Sequence, residues 1–455
     1  MTPTARLRLL GELLSSEGVR GTRDRLLDRL GERARRRRFR PVRPGEALGL
    51  SAPAVTLLAT PPAVRLGGVQ AQLRTRLDAM DSLGQPYALL YPLVPGSFRL
   101  EVAAEGIRRS LRLDAPSRPA PPTLSDPALE QVLHRAMDAA GASILHIEHL
   151  GDLAPGAVLA IARAGRRLIL SVHDFSPFCP RPHLFEQPEG RFCHYCRDLA
   201  RCTACLRQDW PVAEDFQGER RRLAAQLLTA AEAVVFPSRF LRETFDALFP
   251  GRDPSRVRVM EPPVSAGPPP ERGPVPADRL HVAFLGGARP HKGSEILERL
   301  VSGPGGHESR FRWTVFGGGD PPPLHRLRRL PGVRVRGYYR RGTLPRLLGR
   351  ELVDIALILS IVPESYSLAL SEALCAGVPV VAFDHGAIAE RIRLHGGGLL
   401  VPPDGGATAV ARTLAFLADD PGELRRLSAE AAALRGRDGA AAAGEIAELY
   451  RQAEL

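Results

Sequence analysis

The chain has 455 residues, with 62 basic against 50 acidic side chains, 44 Gly, 42 Pro and six Cys. Charged residues at 25% and hydrophobic ones at 44% are ordinary for a globular protein and exclude wholesale disorder and fibrous classes, while the length allows two to three domains with a core each. Apolar runs are too short to span a bilayer and the N-terminal one is interrupted by Arg6, Arg8 and Glu12, unlike a signal peptide, so the expectation is a cytoplasmic protein with reduced cysteines.

The basic residues are 61 arginines and a single lysine, Lys292, and Asn is absent. Lys and Asn share AT-rich codons, so this composition reads as a GC-rich coding bias. That bias discounts the net charge of +12 as evidence of function and makes the surviving lysine conspicuous. Residues 1–50 hold 13 Arg against 6 acidic residues, +7 of the +12, densest at Arg33, Arg35, Arg36, Arg37, Arg38 and Arg40. They read as an Arg-rich, solvated and partly helical N-terminal extension. The same block fits peripheral contact with anionic lipid on the inner face of a membrane; no nucleic-acid motif accompanies it.

From residue 51 short β-rich runs alternate with segments at helical spacing. Val55–Ala59 reads as a strand, ended at Pro61-Pro62, and Gly67-Gly68 opens a helix over Val69 to Met80. Strands follow at Ile144–Ile147, Leu168–Val172 and Val234–Phe236, the rhythm of a parallel sheet covered on both faces. The proline-dense stretch 261–279 reads as a linker. Beyond it, strands are expected at His281–Leu285, Trp313–Phe316, Val333–Arg336, Asp354–Leu359, Val378–Phe383 and Leu399–Val401, with an Ala-rich helix closing the chain. The expected organisation is therefore 51–260 and 280–436 as two doubly wound α/β domains, with 437–455 a terminal helix packing back on the first.

Two segments carry chemistry. The loop Gly286-Gly287-Ala288-Arg289-Pro290-His291-Lys292-Gly293 is a Gly-rich strand-to-helix turn with a cation, which suits an anion. Its Lys-Gly-Ser order is not that of a Walker A loop. An ammonium approaches a phosphate oxygen as a compact point charge where guanidinium prefers a planar fork, a physical reason for Lys292 to resist replacement by Arg. The second segment runs from Pro363-Glu364-Ser365-Tyr366-Ser367-Leu368 to Glu372 and Gly377-Val378-Pro379. It starts a helix near Ser367, whose free amides suit a diphosphate. Glu364 in the loop and Glu372 on the second turn can accept hydrogen bonds from hydroxyls. A nucleotide sugar has the matching shape.

The Glu-x7-Glu block, preceded by a Gly-rich loop ending His291-Lys292-Gly293, resembles the retaining glycosyltransferases of family 4 (glycosyl transferases group 1). Upstream the resemblance includes Gly67-Gly68-Val69-Gln70, His146-Ile147-Glu148-His149, Ser171-Val172-His173-Asp174 and Phe236-Pro237-Ser238-Arg239-Phe240. It implies the GT-B fold, two facing Rossmann-like domains with an active-site cleft between them. It also implies an enzyme that moves a sugar from a nucleotide-diphosphate sugar to a glycan or lipid-linked acceptor hydroxyl, in cell-surface glycan or glycoconjugate biosynthesis. Lys292 would sit on the donor pyrophosphate, Glu364 on hydroxyls of the transferred sugar and Glu372 on the ribose. The amides of Ser365, Tyr366, Ser367 and Leu368 would meet the phosphates, with Gly287 and Arg289 on the same side. Gly68 would let the backbone approach the donor, His173 would face the reacting sugar, and His149 and Asp174 would lie on the acceptor side. The family often has an Arg six residues before the lysine, where this chain has Gly286. There is no Asp-x-Asp triplet, so no catalytic metal is implied. The alternative is a non-catalytic GT-B protein that binds a sugar nucleotide or assembles with a partner; Lys292, Glu364 and Glu372 together argue against it.

A Cys-rich insert, 179–205, follows His173-Asp174. After Cys179 it reads Cys193-x2-Cys196-x5-Cys202-x2-Cys205, paired steps that predict a tetrahedral thiolate site for structural zinc, with unliganded thiols or an iron–sulfur site as alternatives. Cys375 reads as a core residue.

Overall fold

The structure is a computed structural model that describes residues 3–43, 46–62, 67–93, 96–116, 118–264, 279–303, 310–340 and 342–454. The chain divides into two units, one made of Glu32–Pro263 with Arg437–Leu455 and the other of Val264–Gly436 with Met1–Gly31. Most of the stretch read as a Pro-rich linker, 265–278, lies outside the described residues.

In the unit Glu32–Pro263, nine strands among the described residues form one sheet. Its order is Arg40–Pro41, Ile107–Asp114, Ser97–Ala104, Tyr87–Leu93, Ala54–Leu58, Ile144–His149, Arg167–Ser171, Ala233–Phe236, Val257–Val259. The strands from Tyr87–Leu93 to Val257–Val259 run parallel, and those up to Ala233–Phe236 are largely apolar and buried, as a doubly covered sheet requires. Ser97–Ala104 and Ile107–Asp114 pair antiparallel with each other, and the former with Tyr87–Leu93. These two strands were not among the sequence-based expectations: Ile107–Asp114 alternates Arg with apolar residues, the mark of a half-exposed strand, and Ser97–Ala104, though mostly buried, carries Arg99 and Glu101 in its middle. Val55, Leu57, Leu90, Ile147, Leu170 and Phe236 form the core of this unit. The terminal helix Gly439–Glu454 covers the same sheet through Ile446, Leu449 and Tyr450.

In the unit Val264–Gly436 the six strands among the described residues are all parallel, in the order Val333–Gly337, Phe311–Phe316, Leu280–Leu285, Ile355–Ile358, Val380–Phe383, Gly398–Val401. The chain starts in the middle at Leu280–Leu285, works outward to one edge, then returns to build the other. Such a sheet binds ligands beyond the carboxyl ends of its strands, where the order reverses. Here that point lies between the loops following Leu280–Leu285 and Ile355–Ile358.

The N-terminal residues differ from the solvated extension expected. Pro3–Arg37 is helical, broken only at Gly18 (φ 71°). Glu17, Thr22 and Asp24 are buried, at 3–6% exposure. The helix is held because its carboxylates find cationic and hydroxyl partners: Asp24 lies 3.7 Å from the Arg336 guanidinium, and Asp28 accepts from the Tyr338 hydroxyl at 2.7 Å. Farther along, Arg35 donates to Glu101 at 2.9 Å and Glu32 accepts from Arg74 at 2.9 Å. Two arginines of the basic block, Arg35 and Arg36, therefore face protein rather than solvent.

Candidate active site

In the unit Val264–Gly436 the Gly-rich loop leaves strand Leu280–Leu285 and turns through Pro290–Lys292 into the helix Ser294–Ser302. Gly287 has φ 82°, and a Cβ there would overlap the Gly318 carbonyl, so only glycine lets this loop lie against Gly317-Gly318-Gly319. The turn delivers the Lys292 ammonium to the Glu364 carboxylate, at 2.6 Å between Nζ and Oε1. The Ser360 hydroxyl donates to the same oxygen. Arg289 points elsewhere: it is half-exposed and lies 3.8 Å from Asp320.

Glu364 belongs to the loop before helix Leu368–Cys375. Ser367 caps that helix, its hydroxyl accepting from the Leu370 N–H, and takes φ 73° to do so, a costly conformation for a residue with a Cβ. What holds it is Arg391, a buried guanidinium that donates to the carbonyls of Tyr366 (3.2 Å) and Ser367 (3.1 Å) and to the Ser371 hydroxyl (2.7 Å). The same guanidinium lies 4.0 Å over the Tyr366 ring. Glu372 is on the second turn, its carboxyl bonded by the Gly342 backbone N–H and pushed up to about 7 by burial. Tyr339 lies beside it, its phenol raised by its own burial and then by the Glu372 charge. Lys292, Ser360, Glu364 and the helix start at Leu368 thus form one group, with Glu372 on the same short helix.

The unit Glu32–Pro263 holds a second group. Gly68 starts the helix Gly68–Ser82, which presents Gln72 and Arg76, four residues apart and so on one face. The Gln72 amide lies 2.9 Å from Nε2 of His173. Arg76 donates to Glu148 at 2.7 Å, and Glu148 also sits 3.2 Å from Nε2 of His173. Burial alone would push the Glu148 carboxyl up, but the Arg76 guanidinium and the His173 ring outweigh it and hold it well below the usual carboxylate range. Next to it, His149 Nε2 lies 2.8 Å from Asp174, which counteracts burial and raises the imidazole. Asp174 also accepts from the Ser176 N–H at 2.8 Å. His146 lies behind this group, its Nε2 3.7 Å from the Glu148 carboxylate; it is fully buried between the hydroxyls of Tyr450 (2.7 Å) and Ser171 (2.8 Å), and burial lowers it to about 3. It is a core histidine.

Gln72, Arg76, Glu148 and Arg391 were not singled out from the sequence. Gln72 and Arg76 carried a legible signal, the i, i+4 step just after the Gly-Gly turn. Arg391 did not, being one arginine among 61.

The zinc site expected in the cysteine insert finds no support among the described residues. Cys193, Cys196, Cys202 and Cys205, with Cys179, line one small cavity, yet among the described residues no group of three or more His, Cys, Asp or Glu side chains is placed to hold a metal ion. Cys202 and Cys205 ride on the helix Leu199–Leu206 instead of a knuckle turn, and the sulfurs are engaged locally. Arg221 donates to Cys202 at 3.4 Å, Cys205 accepts from the Gln187 N–H at 3.3 Å, and Cys196 faces the Asp198 carbonyl at 3.7 Å. Burial pushes the Cys179 thiol up to about 11 and Cys202 up to about 12. The zinc knuckle is not carried further.

Comparison with known proteins bears on both units. Residues 66–266 match the family model described as Glycosyltransferase Family 4, and residues 279–420 match Glycosyl transferases group 1. A curated relative, the D-inositol 3-phosphate glycosyltransferase of Streptomyces bingchenggensis, is 32% identical over 195 residues, 39% of this chain and 42% of the relative. The match thus spans less than half of that relative's length. Among solved structures, sucrose-phosphate synthase from Thermosynechococcus elongatus aligns with TM-score 0.62 at 17% identity, over 88% of this chain and 98% of its own. HepE from Anabaena in complex with UDP and glucose aligns with TM-score 0.58 at 16% identity, over 88% and 99%. At that identity the likeness is one of fold, and the fold is GT-B.

Proposed function

This chain belongs to the family 4 glycosyltransferases, and on that premise we propose that it moves a sugar from a nucleotide-diphosphate sugar to an acceptor hydroxyl with retention of anomeric configuration. The observation that carries the reading is the Lys292–Glu364 pair, 2.6 Å apart, beside a helix start and at the point where the strand order reverses. In the reaction the bond from the anomeric carbon to the diphosphate oxygen breaks and one to the acceptor oxygen forms, the acceptor's proton passing to the departing diphosphate oxygen. Charge then gathers on the leaving diphosphate. Lys292 and the amides of Ser365, Tyr366, Ser367 and Leu368 are the groups suited to stabilise it. No side chain stands out as a covalent nucleophile.

Glu364 accepts from hydroxyls of the transferred sugar once Lys292 turns to phosphate, and Glu372 accepts from the ribose. Gly287 admits the backbone close to the phosphates; Arg289, drawn toward Asp320, supplies no second cation. Gly68 opens the helix that carries Gln72 and Arg76. His173, oriented by Glu148 and Gln72, faces the reacting sugar, and the His149–Asp174 pair lies on the acceptor side.

The UDP held by HepE makes uridine diphosphate sugars the first donors to test. The inositol phosphate relative points to hydroxyl-rich acceptors, and cell-surface glycan or glycoconjugate synthesis at the inner face of a membrane is the setting that suits them. The test is a nucleotide-sugar panel incubated with and without candidate acceptors. Nucleotide release that requires an acceptor supports transfer; binding of a donor without release under any pairing overturns it.

A further inference from the structure

We propose that the N-terminal helix builds the nucleobase side of the donor site, by holding the two loops against which the base of a nucleoside diphosphate rests. The proposal stands on the donor reading of Lys292, Glu364 and Glu372. With phosphates at Lys292 and ribose at Glu372, the direction of the base follows from what surrounds Glu372. Its carboxyl takes the Gly342 N–H and lies beside Tyr339. The base therefore faces Tyr338–Arg340 and Gly317–Gly319, the loops at the carboxyl ends of strands Val333–Gly337 and Phe311–Phe316.

Both loops are held by one face of the N-terminal helix. A Cβ added at Gly337 would overlap the Glu17 carbonyl, and one added at Gly21 would come within 2.8 Å of the Tyr338 nitrogen. Helix and loop backbones are thus in direct contact. The Tyr338 hydroxyl donates to Asp28 at 2.7 Å, and the Arg25 guanidinium lies 4.5 Å over the Tyr338 ring. Arg25 also donates to Glu17 at 2.8 Å, whose carboxylate oxygen would be 3.1 Å from a Cβ at Gly318. Arg340 lies 3.5 Å from Asp28. Tyr338 is the joint: its side chain is fixed by the helix, and its neighbour Tyr339 is beside the proposed ribose acceptor. A doubly wound domain does not need an outside helix to close these loops. Here residues far away in sequence set their position.

Loosening the joint should therefore weaken ligands that carry a base and spare those that carry only phosphate. Calorimetric titrations of the full chain with UDP, ADP and inorganic pyrophosphate test this on Tyr338→Phe, Asp28→Asn and Arg25→Ala. Tyr338→Phe keeps the ring and removes only the bond to Asp28. The expected result is a roughly three- to tenfold weaker affinity for at least one nucleoside diphosphate, with pyrophosphate affinity unchanged. Equal affinities in all variants overturn the proposal. So does a parallel loss for all three ligands, with or without a lowered melting temperature, because the helix would then act on the whole unit. A wild-type chain that binds pyrophosphate but no nucleoside diphosphate would instead sink the donor reading on which the proposal rests.

Discussion

Lys292 and Glu364 neutralise each other across 2.6 Å, and Ser360 donates to the same Glu364 oxygen. The ion pair stores a cation at the place where a diphosphate would arrive. An incoming phosphate must compete for the ammonium, and release of Glu364 then frees an acceptor for sugar hydroxyls. In the proposed reaction this would couple donor binding to sugar recognition through one shared contact. A flexible four-carbon stem can swing between the two partners; a planar guanidinium, which prefers a two-toothed grip on one carboxylate, is less able to let go.

Lys292→Ala is expected to lower kcat by about 10²–10³-fold, the usual cost of deleting one group that stabilises a leaving charge, with weaker donor binding as well. Lys292→Arg should remain substantially impaired, because the charge is kept but the exchange of partners is not. Steady-state kinetics with the preferred donor decide this. Arg activity near that of the parent would end the argument for a special lysine in a chain where 61 of 62 basic residues are Arg.

Glu372 gives a pH signature. Burial holds its carboxyl up to about 7, so near neutrality the empty site contains both forms. Only the ionised form offers all its lone pairs to ribose hydroxyls, so ribose binding favours proton loss. The linkage then has one sign: nucleotide affinity rises as pH rises toward about 7 and levels off above it, by at most roughly tenfold per unit for one proton. Titration of UDP from pH 5.5 to 8.5 measures the slope, and Glu372→Gln should flatten it. An affinity that falls across this window in the parent chain contradicts the assignment.

The buried Arg76–Glu148–His173 group predicts a cost in stability. Removing one partner of a buried pair leaves an uncompensated charge, worth about 3–5 kcal/mol, so Glu148→Leu should melt far below the parent at pH 7. The folded carboxyl lies below its ordinary value of 4.5. Its contribution is therefore present above that value and is lost as pH falls through the unfolded value toward the folded one. Thermal melts at pH 7 and pH 4 should show the gap between parent and Glu148→Leu narrowing at the acidic end. A gap that widens there would mean that Glu148 is not held as an ion.

Much of the candidate site around Lys292 and Glu364 was legible in the sequence because its parts are local. Glycines and prolines punctuate the loop before Lys292, and the Glu364 to Glu372 interval spans one loop and two helical turns. What escaped depends on distance in the chain. Arg391 fixes the strained Ser367 from the next helix, and Arg76 meets Glu148 across 72 residues. An arginine-rich composition makes such residues indistinguishable from solvated ones. The N-terminal helix was misread for a related reason: its net charge drew notice, while the positions of its carboxylates did not. Glu17, Asp24 and Asp28 fall on one helical face, a period-3.6 pattern made of acids instead of apolar residues. The paired cysteines do gather on one cavity, as their spacing suggested, while Cys202 and Cys205 sit on a helix with the Arg221 guanidinium and the Gln187 N–H as partners.

The outer face of that helix supports a last prediction. With Glu17, Asp24 and Asp28 turned inward, Val19, Arg23, Leu26, Leu27 and Leu30 lie away from that face and are all exposed, Val19 at 76% and Leu30 at 55%. No carboxylate interrupts them. Apolar side chains among arginines are suited to the boundary of an anionic bilayer, where Leu enters the acyl edge and each Arg near the surface adds about 1 kcal/mol. Arg33 and Arg37 continue the exposed positions along the same helix. Co-sedimentation with phosphatidylserine–phosphatidylcholine vesicles should exceed that with phosphatidylcholine alone and weaken with salt. Arg23→Glu with Arg33→Glu should lower binding by at least tenfold, and Leu26→Ser with Leu30→Ser should lower it while preserving its salt dependence. If instead the leucine pair abolishes a dimer seen by light scattering and vesicles are ignored throughout, the face is a protein interface and the membrane assignment fails.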